Sequence, residues 1–249
     1  MKVSGRIALV TGAAQGLGKA FAEALLENGA KVLISDVNAE AGEATLKAFQ
    51  EKYGENNVMF VRADVTSQAQ MEAVFQQVHE RFGGLDIMSN NAGIVGEARE
   101  AWEKTVDVNL KGVIRGTNLA LDLMRQDKGG RGGVIVNTAS IAGLMPVPGG
   151  EIYAATKHGV IGFSRSWAKN PLCVDNGVRV NALCPSFSAT AMMPRADSAD
   201  GEVGKYIEEH GVMSPEYVAE GFMDLVQDDS KNGAVLKMVQ KLGKVYVEY

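Results

Sequence analysis

The stretch "RIALVTGAAQGLGKAFAEALLENG", residues 6–29, decides how the rest of the chain is read. Residues 6–12 are a short apolar run ending in Thr-Gly, the pattern of a buried strand. Residues 17–29 carry apolar positions at helical spacing and stop at Gly29. Between them Gly12, Gly16 and Gly18, with Leu17 inside the turn, form a G-x-x-x-G-x-G connection. Glycines there allow a tight turn, and the amino terminus of the next helix offers unpaired N–H groups to a pyrophosphate. This spacing departs from G-x-G-x-x-G. Its strand-to-helix setting, with an acid ending the following strand, is what points to a dinucleotide.

Working outward, strand and helix patterns alternate. Expected strands are 6–12, 30–36, 57–65, 85–93, 132–140, 177–185 and 234–239. Expected helices are 17–29, 39–53, 69–83, a long one near 99–126, one through "EIYAATKHG" (151–159) that stops before Pro171, and 214–229 with Ser214 as cap and Pro215 in its first turn. Most strands are near-continuously apolar, so they are covered on both faces, which requires a parallel sheet. The expected fold is α/β: a single Rossmann-type doubly wound domain over residues 1–249, with a seven-stranded parallel sheet and helices on both faces. Only about 186–213 lacks clear periodicity.

Composition narrows the function. The chain has 249 residues, 46% hydrophobic and 22% charged, with a net charge of -5. No basic run stands out, which argues against nucleic acid or an acidic membrane surface as partner. No run approaches the ~18 apolar residues of a membrane span, and the apolar run after Met1 is too short for a signal peptide. Cys173 and Cys184 have no metal-ligand spacing; they read as buried reduced thiols of a cytoplasmic protein without a metal site.

Asp36, at the end of the second strand, is placed to accept both hydroxyls of an adenosine ribose and to repel a 2′-phosphate. Its candidate neighbours Gln15 and Val37 are uncharged, so NAD is expected over NADP; the alternative is that Asp36 only caps a turn. Asp64, followed by Val65, either contacts the adenine amino group or simply forms a turn. Tyr153 and Lys157 stand four apart, on one helix face. A free phenol titrates near ~10, and a lysine ammonium in a partly dry cleft is expected to lower it toward neutrality. In isolation such a pair is more often a solvated surface. His79, His158 and His210 are scattered and suggest no base for a nucleophilic serine.

"TGAAQGLG", "NNAG" (90–93), Asn109, "SIAG" from Ser140 and Tyr153-x-x-x-Lys157 occur in order along almost the whole chain. The sequence thereby resembles the short-chain dehydrogenase/reductase family. Within it, "GRIALVTGAAQGLGKAFAEALLENGAKV", "WEKTVDVNL" and "ASIAGLMPV" look most like the NAD-dependent 15-hydroxyprostaglandin dehydrogenases. The resemblance implies that Tyr153 is the general base and that Ser140 holds the substrate oxygen. It implies that Lys157 binds the nicotinamide ribose, and that Asn109 pins a water linking Lys157 to solvent. Asn91, Ala92 and Gly93 would line the cofactor cleft, and Thr190 would bind carboxamide or phosphate after the Pro185 turn. It also implies a homodimer or homotetramer built on the long fourth and fifth helices.

Three departures bear on substrate. Ser186 follows Pro185 where glycine is usual. Gly150 stands at the substrate-side position where the hydroxyprostaglandin enzymes carry glutamine. The segment after Thr190, part of a substrate lid at about 186–213, is short. Leu144, Met145, Val147, Phe187, Met192, Met193 and Met213 leave an apolar surround or ordinary packing. The expected activity is oxidation of an apolar secondary alcohol, such as a hydroxylated lipid or prostaglandin. A carbonyl reductase or short alcohol dehydrogenase of the same family, or a non-catalytic NAD(H) sensor, are the alternatives. The intact Ser140, Tyr153, Lys157 and Asn109 set argues against the sensor.

Overall fold

The structure, a computed structural model, describes residues 1–97, 102–193 and 202–249. The expected helix start near 99 and part of the 186–213 segment lie outside these residues. Among the described residues eight strands form one sheet: β1 (Ile7–Thr11), β2 (Lys31–Asp36), β3 (Val58–Arg62), β4 (Ile87–Asn90), β5 (Gly133–Thr138), β6 (Val178–Pro185), β7 (Val235–Val239) and β8 (Gly243–Tyr246). Their order is β3-β2-β1-β4-β5-β6-β7-β8. The apolar runs IALVT and GVIVNT are buried along their whole length, as strands covered by helices on both faces must be. The order reverses between β1 and β4, so a crevice opens at their carboxyl ends, where ligands bind in such sheets.

The seven-strand, all-parallel expectation needs one correction. β8 pairs antiparallel with β7, from Leu236↔Tyr246 to Val239↔Gly243. Its residues GKVY are mostly exposed, so it lacks the apolar run by which the other strands announce themselves. A tight turn suffices for antiparallel return, and Gly243 supplies its positive φ of 77°.

The helices are α1 (Gly16–Glu27), α2 (Ala39–Tyr53), α3 (Gln68–Phe82), α4 (Trp102–Val106), α5 (Gly112–Met124), α6 (Glu151–Lys169), α7 (Pro171–Val174), α8 (Glu202–His210) and α9 (Pro215–Gln227). The expected helix across 99–126 is α4 and α5 joined by a π turn over Asp107–Lys111. Sequence periodicity does not distinguish one inserted residue from a helix that simply continues, and such turns recur at functional sites. α6 ends at Lys169, two residues before Pro171, as expected. The short α7, capped by Asn170, follows it, and α8 occupies part of the segment read as aperiodic. Ser214 caps α9 through the Tyr217 N–H, 3.1 Å away.

A buried polar relay holds the middle of the sheet to α5 and α6. Asn90 Nδ2 donates to Thr117 Oγ1 (3.1 Å) and to Asn137 Oδ1 (2.8 Å), and Asn137 Nδ2 donates to Ser164 Oγ (2.9 Å). Asn90 on β4, Asn137 on β5 and Ser164 on α6 are all buried, so each bond is strengthened by its dry surroundings and each lost partner is expensive. Asn137→Ala should lower unfolding stability by about 2–3 kcal/mol, read as a reduced urea midpoint with an unchanged slope.

Candidate active site

The glycine turn is built by steric exclusion. A Cβ on Gly18 would lie 2.1 Å from the Gly12 carbonyl oxygen and 2.5 Å from Asn91 Nδ2. Gly12 and Gly16 have φ of 64° and 57°, a region L side chains avoid. Asn91 spends its amide on this turn, donating to the carbonyls of Thr11 (3.0 Å) and Gly12 (3.1 Å). Thr11 Oγ1 accepts from the N–H groups of Asn91 and Ala92. Thr190 lies against Gly16: a Cβ on that glycine would meet Thr190 Cγ2 at 3.3 Å. Gln15, at the cap of α1, makes no side-chain bond to the helix, and Leu17 packs against the main core.

Asp36 ends β2 and accepts from the N–H groups of Ala14 and Asn38, both at 3.0 Å. The carboxylate therefore shapes the turn, as the capping alternative held, while two of its roughly four lone-pair sites stay free for a ligand. Sequence reading weighed only Gln15 and Val37 beside it. The parallel register adds Arg62, directly opposite Asp36 on β3. Its Nε donates to the Val37 carbonyl at 3.2 Å, and among the described residues no ion pair joins it to Asp36. Asp64 adopts the turn-forming geometry: Oδ1 accepts from the Thr66 N–H (2.9 Å) and hydroxyl (2.8 Å). Val65 follows, half-buried, with its side chain against Gly112.

Ser140, Tyr153 and Lys157 come together at the carboxyl ends of β5 and β6. Ser140 directly follows β5 and Ala139; its Oγ accepts from the Ala142 N–H at 3.2 Å and reaches the Pro185 carbonyl at 3.5 Å. Lys157 is buried on α6, and its Nζ donates to the Thr138 carbonyl at 2.9 Å. The same Nζ lies 5.4 Å from the centre of the Tyr153 ring. It borders Gly93, where a Cβ would stand 3.6 Å from Lys157 Nζ and 3.4 Å from Asn109 Oδ1. Thr138 Oγ1 and Ser186 Oγ are buried there with no hydrogen-bond partner.

Charge in this cleft differs from the sequence expectation. Burial raises the Tyr153 phenol above its ordinary value, and the Ser140 hydroxyl, which favours the phenolate, only partly offsets this. Burial also lowers Lys157 to about 8, and Cys184, behind both, is pushed up to about 12 and stays neutral at physiological pH. The expectation that Lys157 supplies much of the lowering of the Tyr153 phenol is thus corrected: in the chain by itself, burial outweighs it and the phenol stays above its ordinary value. Both groups are desolvated together, which disfavours the charged form of each: the phenolate of Tyr153 and the ammonium of Lys157.

The loop from β4 to Glu97 is held at several points. Asn109, in the π turn, accepts from the Ile94 N–H and donates to the Ile94 carbonyl, both at 2.8 Å, and also donates to Thr156 Oγ1 at 3.3 Å. Its side chain is thereby committed to the protein. Thr105 Oγ1 donates to the Gly96 carbonyl at 2.7 Å. Glu97 then crosses to α6, accepting from the N–H groups of Ile152 (2.9 Å) and Tyr153 (2.8 Å). No spacing rule reveals a cap contributed from so far away in the chain.

The sequence model described as short chain dehydrogenase matches residues 6–201. The chain belongs to the short-chain dehydrogenase family. Two relatives within it, from Macaca fascicularis and Homo sapiens, are named 15-hydroxyprostaglandin dehydrogenase (NAD(+)). They are 44% and 43% identical to this chain over all of its length and 96% of theirs. The crystal structure of a levodione reductase superposes with a TM-score of 0.86 at 32% identity, covering 96% of this chain and 98% of that one.

Against this short-chain dehydrogenase site, the remaining residues sort by position. Gly150 is the bare cap of α6, with no side chain to bond the helix. Phe187 packs beside Tyr206 of α8, ring centres 5.9 Å apart. Met145 and Met192 are exposed, whereas Met213 is fully buried in the main core with α9 and faces no cleft.

Lys157 supplies a prediction. Its folded value of about 8, against 10.5 ordinarily, means that between those pH values the unfolded chain holds a proton the folded chain has released. Stability should therefore rise with pH across that window, and below it the fold bears a cost of about 3 kcal/mol. Lys157→Met, after losing the bond to Thr138, should gain about 2 kcal/mol at neutral pH. Calorimetry should show a Tm higher by roughly 4–8 °C.

Proposed function

We propose that this chain is an NAD-dependent oxidoreductase that converts a secondary alcohol to a ketone by hydride transfer, acting on a hydroxylated lipid such as a prostaglandin. The observation that carries the reading is the convergence of Ser140, Tyr153 and Lys157 on one cleft beside Gly93 and the glycine turn. The full-length similarity to proteins named 15-hydroxyprostaglandin dehydrogenase (NAD(+)) supports both cofactor and substrate class.

The residues fit a dinucleotide. The turn has no room for Cβ atoms at Gly12 and Gly18, Asp36 keeps acceptor capacity, and the Thr138 and Ser186 hydroxyls are buried without partners. In this reading Gly12, Gln15, Gly16, Leu17, Gly18 and Thr190 would hold the pyrophosphate, and Asp36 and Val37 the adenosine ribose. Asp64 and Val65 would flank the adenine. Asn91, Ala92, Gly93, Pro185, Tyr153 and Lys157 would enclose the nicotinamide riboside. Bound NAD would supply the hydride acceptor and a positive ring charge.

The chain's own residues then handle the proton. Ser140 donates a hydrogen bond to the substrate oxygen and fixes it beside Tyr153. The Tyr153 phenolate accepts the hydroxyl proton as the carbinol hydrogen leaves with its electron pair, so the alcohol loses one hydride and one proton, two electrons in all. Lys157, titrating near the working pH, is suited to pass that proton outward. With the Asn109 side chain committed to Ile94 and Thr156, a water at this point would be held by the backbone of the π turn rather than by the amide. Phe187 and the lid over 186–213 would close on an apolar substrate, with Gly150 leaving its side open.

A homodimer or homotetramer and a cytoplasmic location complete the reading. The two free cysteines, both buried, suit a reducing compartment. Among the described residues no helix is long and apolar enough to cross a membrane. Similarity to a levodione reductase makes ketone reduction the second reading.

The test is NADH absorbance followed with hydroxy fatty acids, prostaglandins, steroids and short alcohols, and in reverse with ketones. Turnover should favour large apolar alcohols, with a lower KM for NAD than for NADP. Tyr153→Phe should lose more than ~100-fold in kcat, or over about 2.7 kcal/mol, and bind NADH within about threefold of the parent. Retention of more than about a tenth of the activity would remove Tyr153 as the base.

A further inference from the structure

α6 begins without a cap of its own. Gly150 has no side chain to satisfy the first N–H groups, which normally require an acceptor. Glu97, from the segment after β4, fills that need, one carboxylate oxygen accepting from Ile152 N and the other from Tyr153 N, at 2.9 and 2.8 Å. Tyr153 is the third residue of this helix, so the carboxylate grips the backbone of the residue that carries the phenol. Glu97 also lies on the segment that leaves Asn91 at the glycine turn and is tied at Ile94 and Gly96. One backbone segment, anchored by hydrogen bonds along its length, therefore runs from the glycine turn to the amino terminus of α6.

We propose that Glu97 is a positioning residue for Tyr153: it locks the phenol's helix to the cofactor-side loop and sets the charge around it. The proposal rests on the oxidoreductase reading for its kinetic consequences. An uncapped helix amino terminus is a centre of positive potential that favours a nearby anion. Glu97 neutralises that end and so opposes the phenolate. Among the described residues, the other titratable or hydrogen-bonding groups near Tyr153 are Lys157 on α6, Ser140 after β5 and the neutral Cys184 on β6. Glu151 lies on the same turn, exposed, and is held by the Gly149 N–H at 2.9 Å.

The test compares Glu97→Gln with Glu97→Asp. The glutamine keeps the size but loses the charge, and its amide nitrogen faces one of the two N–H donors. Removing a negative charge near a phenol stabilises the phenolate. The acid limb of kcat/KM for alcohol oxidation should therefore move to lower pH, while kcat on the plateau falls roughly five- to tenfold, about the loss of one cap. NADH affinity, read by fluorescence, should stay within about threefold of the parent, a loss under about 0.7 kcal/mol. Glu97→Asp keeps the charge with a shorter reach: kcat should fall and the acid limb should stay. Ultraviolet titration of the phenolate in the cofactor-free protein, with Tyr153→Phe identifying the signal, gives the same comparison without turnover. Absence of alcohol oxidation in the parent would defeat the functional reading and leave this titration to decide the role of Glu97. An acid limb and phenolate titration unmoved in Glu97→Gln, or moved equally in Glu97→Asp, would overturn the proposal. If Glu97→Gln does not fold, a normal plateau kcat in Glu97→Asp would overturn it.

Discussion

The hydrogen bond from the Lys157 ammonium to the Thr138 carbonyl, 2.9 Å long, is the constraint on which the cleft depends. It joins the last residue of β5 to α6 across the carboxyl end of the sheet, and it fixes where the neighbouring phenol stands. A lysine in this place is unfavourable in itself, because burial penalises its charge. The fold tolerates it through the surrounding frame: a sheet buried on both faces and the Asn90–Asn137–Ser164 relay that holds α6 against β5. Local instability at a site carried by a rigid scaffold is common where chemistry needs a readily transferred proton.

The protein by itself leaves the tyrosine protonated and the lysine charged at neutral pH but more readily deprotonated than usual, and both shifts have the same origin in desolvation. Ionisation of the phenol thus depends on what charge enters the cleft. Ser140 and a bound cationic ring favour the phenolate, whereas Glu97 at the head of α6 opposes it. A base governed by opposing charges responds to ligand binding, and that suits an enzyme that must not take protons until its substrate and oxidant are in place.

Much of the fold was legible along the chain. The buried strands spell themselves in continuous apolar runs, and the helix starts at Ser214 and the stop before Pro171 follow from capping and proline geometry. β8 was not legible, because an exposed antiparallel edge strand needs no apolar run. The π turn was hidden because one inserted residue leaves the helical pattern intact. Met213 read as a candidate for the apolar surround, yet it lies in the core; hydrophobicity alone does not say which side of a loop a side chain takes.

At the site, residue type and order marked the glycine turn, Asp36 and the Tyr153–Lys157 pair one helical turn apart as candidates, and the family resemblance added Ser140. Tertiary structure alone decided which contacts those residues make. Arg62 joins the neighbourhood of Asp36 through strand register, Asn91 and Asn109 turn their amides inward to hold backbone, and Glu97 caps a helix more than fifty residues away. Each of these depends on distances between segments remote in the chain. Pattern carries local conformation and chemical identity; only packing brings distant charges within reach and removes the water that would have screened them.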